Sequence, residues 1–198
     1  MKWTYKTPGI PDELFIRGKV PMTKEEVRAV TLSKLRLEEH STMIDVGAGT
    51  GSIAIEAAHI CTKGRVIAIE RNIEGIELIK ANSEKFEVDL KIIHGKASEK
   101  LKELDSFDRV MIGGSGGELE KIINICYDKL KENGICVINC ITIETLYEAI
   151  ENLKKNGFCD IDVISVNIAR GKALGRYTLM EGLNPIYIIS GIKNKGRQ

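Results

Sequence analysis

Beyond residue 21 the spacing of hydrophobic positions changes repeatedly between two periods. Apolar runs at 42–46, 65–70, 90–93, 109–112, 135–141, 160–168 and 185–191 predict strands. Between them lie one-sided apolar stripes at spacings of three and four. Ile53, Ala57 and Ile60 form one, and Ile76, Ile79, Ser83 and Phe86 a second. Leu119, Ile122, Ile123, Cys126 and Leu130 form a third, and Leu146, Ala149, Ile150 and Leu153 a fourth. A short helical piece is expected between the strands at 90–93 and 109–112. Pro21-Met22-Thr23-Lys24-Glu25-Glu26 opens the first helix, with Thr23 and Glu26 spaced as a capping box. Asn133-Gly134 is expected to end one helix, and Asn156-Gly157 to end another through a left-handed cap. No helical pattern separates the last two strands.

Strands that are apolar on both faces suit a parallel sheet covered on both sides. The order therefore predicts an α/β fold: a three-layer, doubly wound, mostly parallel sheet of seven strands with a terminal antiparallel strand. The whole of 1–198 reads as a single domain, with residues 1–20, containing Pro8 and Pro11, as an irregular arm.

Composition narrows the classes. The 198 residues are 43% hydrophobic and 29% charged, which is globular rather than disordered. A formal net charge of +1 offers no global field for nucleic acid or an anionic membrane. No apolar run reaches the ~18 residues of a membrane span. The start "MKWTYKTPGIPDE" lacks a signal-peptide hydrophobic region, so a cytoplasmic location is expected. Cys61, Cys126, Cys136, Cys140 and Cys159 contain no C-x-x-C and sit in apolar patterns, as buried free thiols do. His40, His59 and His94 lack metal-ligand spacing, and no protein-bound metal is indicated. His94 closes a predicted strand on the ligand side of the sheet.

Candidate chemistry begins at "IDVGAGTGS", residues 44–52, the carboxyl end of the first strand. Glycines at 47, 49 and 51 let a ligand lie against the backbone. The spacing is G-x-G-x-G, with Ser52 where a dinucleotide fingerprint has its third glycine. Glu70 ends the second strand 19 positions after Gly51, where an acid can accept hydrogen bonds from both ribose hydroxyls.

"DVGAGTG" followed by "AIERN" resembles the S-adenosylmethionine site of class I methyltransferases. That cofactor carries no phosphate, so no pyrophosphate cradle is needed. After the fourth strand, Gly113-Gly114-Ser115-Gly116-Gly117 stands where many amino-methylating members carry Asp/Asn-Pro-Pro-Tyr. No Pro-Cys nucleophile of the cytosine carbon methylases is present.

"VPMTKEEVRAVTLSKL" (20–35), "GGSGGEL" (113–119) and "VNIARGKALG" (166–175) together resemble the CbiT family, the decarboxylating cobalt-precorrin carbon-15 methyltransferases of anaerobic cobalamin synthesis. The likeness runs from about Ile10 to Ile192. It implies S-adenosyl-L-methionine as cofactor, held by Thr23, the loop Gly47, Ala48, Gly49, Thr50 and Gly51, Glu70, and Ala97. Relatives usually read Gly-Asp-Ala where this chain has Gly95-Lys96-Ala97, and lysine cannot accept from the adenine amino group. Backbone groups or Ser98 must then hold adenine.

The implied substrate is a precorrin-6B-like tetrapyrrole, a corrinoid precursor bearing acetates and propionates, with any cobalt arriving inside it. Gly113, Gly114 and Ser115 are its expected platform, and Arg170 and Lys172 its expected carboxylate partners. Lys24, Arg28 and Arg176 are further cationic candidates. The resemblance also implies a homo-oligomer, a tetramer, with neither membrane nor nucleic acid as partner. No residue is assigned an acid–base role. A transfer-RNA base methyltransferase and a non-catalytic cofactor-binding protein are the alternatives. The first normally requires a basic groove; the second has no need of the 113–117 and 169–175 loops.

Overall fold

A computed structural model describes residues 3–5 and 7–194. The arm's residues 1, 2 and 6 lie outside the described set. The elements in chain order are α1 (Glu25–Leu35), β1 (Thr42–Val46), α2 (Ser52–Ile60), β2 (Arg65–Glu70), α3 (Ile73–Phe86), β3 (Lys91–His94) and α4 (Ala97–Lys100). There follow β4 (Phe107–Ile112), α5 (Leu119–Lys129), β5 (Leu130–Cys140), α6 (Ile143–Lys155), β6 (Cys159–Val166), β7 (Ala169–Leu174), β8 (Tyr177–Gly182) and β9 (Ile186–Lys193).

Seven strands form one sheet in the order β3-β2-β1-β4-β5-β9-β6. The predicted α/β architecture is present, and the antiparallel strand is the last in the chain. It is inserted between β5 and β6, and both flanking pairings are antiparallel. The chain order reverses at β1, with β2 on one side and β4 on the other, which opens a crevice at the strands' carboxyl ends.

Apolar side chains fill both faces of the sheet. Ile44, Val46, Ile67, Val110 and Ile138 pack with residues of α5 and α6. Met43, Ala68, Met111 and Val137 pack with residues of α1 and α2 on the opposite face. Of the stripes read from the sequence, Ile76, Ile79, Ser83 and Phe86 in α3 and Leu119, Ile122, Ile123 and Cys126 in α5 are buried. Leu130 begins β5, and Ile60 of α2 and Leu146 and Ile150 of α6 are half-buried.

Several local expectations need correction. Thr23 does not cap α1: the N-cap is Lys24, and no side-chain cap bond forms. Thr23 stands one residue too early, and its carbonyl is instead taken by the Arg28 guanidinium. Asn133-Gly134 does not end α5, which stops at Lys129. Residues 131–134 bulge out of β5, so that Phe107 faces Leu130 while Arg109 faces Ile135. Asn156-Gly157 does close α6: Gly157 has φ 86°, and the Gly157 and Phe158 amides donate back to the Lys154 and Leu153 carbonyls. Cys159 is half-buried rather than buried like the other four thiols.

The arm is better ordered than its prolines suggest. Ile10 and Phe15 pack on Ile55 and Phe86. Beneath them Arg28, with no exposed surface, binds Asp12 at 2.7 Å and Glu56 at 2.8 Å. The Glu56 carboxylate also accepts from the Gly9 and Ile10 amides. A guanidinium can be buried only with such complete pairing.

The segment after β6, expected as a loop, is a hairpin. β7 and β8 pair antiparallel across the two-residue turn Gly175-Arg176, with Gly175 at φ 59°. Every residue of both strands is exposed.

Candidate active site

One cavity of about 750 Å³ lies across the carboxyl ends of β1 to β5 and reaches β9. Its floor is the glycine turn after β1. Gly47, Gly49 and Gly51 all have positive φ (70°, 58° and 78°). The reason is protein contact more than ligand room. A Cβ on Gly47 would sit 2.6 Å from the Gly114 carbonyl oxygen, because the turns after β1 and β4 touch. Gly47, Ala48, Gly49 and Thr50 line the cavity. Gly51 instead caps α2 and backs onto Ile79.

Glu70 is 8% exposed at the end of β2 and is wired into the turn. Its Oε2 accepts from the Gly49 amide at 2.8 Å, and its Oε1 accepts from the Arg71 and Asn72 amides, each at 2.8 Å. Three of a carboxylate's roughly four acceptor sites are therefore used. Capacity remains for about one further donor, not the two ribose hydroxyls expected from the spacing. Gly75 in α3 makes this packing possible: a Cβ there would lie 2.7 Å from Glu70 Cγ. Sequence reading missed Gly75. Its signal was a glycine inside a helical stripe, a costly choice without a packing reason.

Asp45 precedes the turn on β1 and lines the cavity. Burial pushes its pKa up to about 7, and the nearby Glu70 adds to this while the Ala54 amide opposes it. Its Oδ2, Thr50 Oγ1 and Asn139 Oδ1 are buried without hydrogen-bond partners. The Asn139 amide has a fixed orientation. Thr31 Oγ1 donates to the Val27 carbonyl, so it can only accept from Asn139 Nδ2, which lies at 2.9 Å.

The β3 end supplies Gly95, Lys96 and Ala97. Lys96 is the extended N-cap of α4. Ser98 beside it is buried, and its hydroxyl donates to Glu118 Oε2 at 2.8 Å. That bond, with Lys121, holds the Glu118 pKa below the ordinary carboxylate value. Glu118 lines the cavity near the missing aspartate and was not foreseen. His94 does not line it; its Nε2 lies 3.1 Å from the Arg71 carbonyl oxygen. Gly113, Gly114 and Ser115 follow β4 and do line it.

The cationic candidates fall differently. Lys24 and Thr23 line the cavity. Arg28 is locked in the arm's ion network. Arg170 is not in the lining: Nε and Nη2 grip the Glu26 carboxylate at 3.1 and 2.8 Å, which ties the hairpin to α1. Lys172 is 3.4 Å from Glu181 across the hairpin, and Arg176 donates to the Tyr177 hydroxyl. Arg71 and Lys96 line the cavity instead. Its far wall, from β5, β9 and the hairpin base, carries Asn139, Cys140, Ile141, Ile168, Leu183, Asn184 and Ile186, none of them charged at neutral pH. Burial raises the Cys140 thiol to about 11.

A seven-stranded sheet with this inserted antiparallel strand, a glycine turn after β1 and an acid ending β2 defines the class I methyltransferase fold. Residues 13–193 match the family described as the precorrin methyltransferase domain, and the chain belongs to that family. It is 48% identical to a probable cobalt-precorrin-6B C(15)-methyltransferase (decarboxylating) of Pyrobaculum calidifontis, over 96% of this chain and 98% of the relative. Among solved structures, a precorrin-6y C5,15-methyltransferase from Geobacter metallireducens superposes with TM-score 0.90 at 43% identity, covering 96% of this chain and 100% of that one. A precorrin 8W decarboxylase from Methanobacterium thermoautotrophicum gives 0.88 at 38% identity, covering 92% and 98%.

Proposed function

We propose that this chain is a decarboxylating C-methyltransferase that uses S-adenosyl-L-methionine. It methylates carbon 15 of a cobalt-precorrin-6B-like macrocycle and removes the ring C acetate as carbon dioxide, in cobalamin biosynthesis. The observation that carries this reading is the end-to-end likeness to decarboxylating precorrin methyltransferases in a chain whose glycine-floored cavity carries cations at the β2 and β3 ends and an uncharged wall from β5 and β9.

The cavity's chemistry fits the cofactor. A buried, unpartnered carboxylate oxygen on Asp45 suits the neighbourhood of an ammonium group, and the free acceptor site of Glu70 suits a ribose hydroxyl. Thr23, Gly47, Ala48, Gly49, Thr50 and Ala97 complete the lining on that side. With Lys96 in place of an aspartate, Glu118, held in position by Ser98, is the acceptor available to an adenine amino group. When bound, the cofactor supplies an electrophilic methyl on sulfur. The chain's part is to align the macrocycle carbon with it and exclude water.

Gly113, Gly114 and Ser115 form the platform, and Lys24 and Arg71 are the carboxylate partners. Arg170 acts through Glu26, as a latch, and Lys172 stays on the hairpin. The 1–198 chain works as a single domain, in the cytoplasm. Among the described residues no helix is long and apolar enough to cross a membrane. It works as a homo-oligomer, a tetramer: Leu174, Tyr177, Leu179 and Met180 expose 54 to 67% of their surface on a hairpin that little else supports.

Incubation with a precorrin pool and labelled cofactor tests the reading by mass spectrometry. One methyl gained and one carbon dioxide lost makes the product about 30 Da lighter, a change that RNA methylation cannot mimic. Methyl gain on RNA alone would overturn it.

A further inference from the structure

Two of the cavity's three lining cations stand at the β2 and β3 ends, away from an apolar wall formed by β5, β9 and the hairpin base, and this bears on the second half of the reaction. Its lining cations come from the start of α1 and the ends of β2 and β3: Lys24, Arg71 and Lys96. The wall from β5, β9 and the hairpin base has none. Ile141, 66% exposed, and Leu183, 37% exposed, stand uncovered beside Ile168 and Ile186. One of the two N–H groups of the Asn139 amide is committed to Thr31.

We infer that this uncharged wall, formed by Ile141, Ile168, Leu183 and Ile186, receives the acetate that leaves as carbon dioxide. The inference rests on the function proposed above. A flat macrocycle covering these side chains expels water and leaves one carboxylate without a cation. Desolvation costs the localised charge of the carboxylate more than the dispersed charge of the transition state. The other carboxylates meet Arg71 and Lys96 at the β2 and β3 ends.

Methylation before decarboxylation gives a balanced route. The methyl arrives without its bonding electrons, so carbon 15 supplies the pair and the conjugated ring is left cationic. The acetate's carbon–carboxyl bond then breaks, its electron pair enters the ring and neutralises it, and carbon dioxide departs. An exocyclic methylene remains. It becomes a methyl when the ring tautomerises, giving up one of its own protons. No oxidant, reductant or solvent proton is consumed in total.

The test places a cation on the wall. Leu183→Lys and Ile186→Lys are assayed beside wild type for methyl incorporated and carbon dioxide released. Asn124→Lys, on the exposed face of α5, controls for added charge alone. Wild type and Asn124→Lys should show a one-to-one ratio. The two wall variants should keep methylating and accumulate a methylated, undecarboxylated product about 14 Da heavier than substrate, with the ratio of methyl to carbon dioxide raised about tenfold or more. Folded wall variants that keep the one-to-one ratio, whether turnover is unchanged or both steps fall together, would overturn the inference. A wild type with no corrinoid product would instead refute the functional reading beneath it.

Discussion

Gly75 shows how little separates a working acid from a displaced one. Alanine at a helical position is ordinarily worth up to about 1 kcal/mol over glycine. Here its methyl would lie 2.7 Å from Glu70 Cγ and 3.1 Å from the Gly49 carbonyl oxygen. Gly75→Ala should therefore weaken cofactor binding by about 1–3 kcal/mol in calorimetric titration, the scale of disturbed hydrogen bonds to a charged acceptor. Unchanged affinity would show that Glu70 is not a binding group. Asp45 makes a second prediction. Its folded pKa, about 7, lies above its ordinary value of 3.8, so the folded state binds more protons across that interval. Its contribution to stability is full below about pH 4 and is lost as the pH rises through 7. Melting temperatures of the unliganded protein should carry this slope, and Asp45→Asn should flatten it. The place of Glu70 at the end of β2 was legible because an acid 19 residues past a glycine turn has a known place in such a sheet. Its three amide partners were not, because they depend on how tightly Gly75 lets α3 approach.

Among the elements, those that cover or join the core were readable, and the fully exposed hairpin was not. α3 and α5 declare themselves through stripes that meet the sheet, and β1 and β2 through runs buried on both sides. β7 and β8 bury nothing, so no alternation marks them, and 169–175 reads as a loop. The bulge at 131–134 was masked by the same Asn-Gly pair that usually stops a helix. The hairpin's attachment also changes what Arg170 predicts. Because it grips Glu26, Glu26→Gln should loosen the hairpin much as Arg170→Ala does. Amide exchange over 169–182 should accelerate in both variants while cofactor affinity holds. Slower turnover in Arg170→Ala with undisturbed exchange would instead mark a direct contact with substrate.

For the molecule as a whole, the arm and the hairpin meet the sheet through one charged neighbourhood. Asp12 lies 2.7 Å from Arg28, 3.6 Å from Arg170 and 3.8 Å from Lys24, so a residue of the arm touches the charges that hold both the cavity wall and the hairpin. Asp12→Asn should lower global stability by about 3–5 kcal/mol, the cost of leaving a buried guanidinium under-compensated. Denaturant titration measures it. Pattern alone did not reveal this junction, because Asp12 and Arg28 are polar residues in stretches where polarity reads as surface.

Cys140 raises a question of chemical self-restraint. An enzyme that handles an electrophilic methyl must not offer it a better nucleophile than the substrate carbon, and this cavity has a thiol in its lining. Sulfur attacks as thiolate, and with a pKa of about 11 only about one molecule in ten thousand carries that form at pH 7. The burial that stabilises the sheet end thus keeps the protein from methylating itself. Intact mass spectra after prolonged incubation with cofactor alone should show no 14 Da adduct, whereas raising the pH toward 11 should bring one out at Cys140.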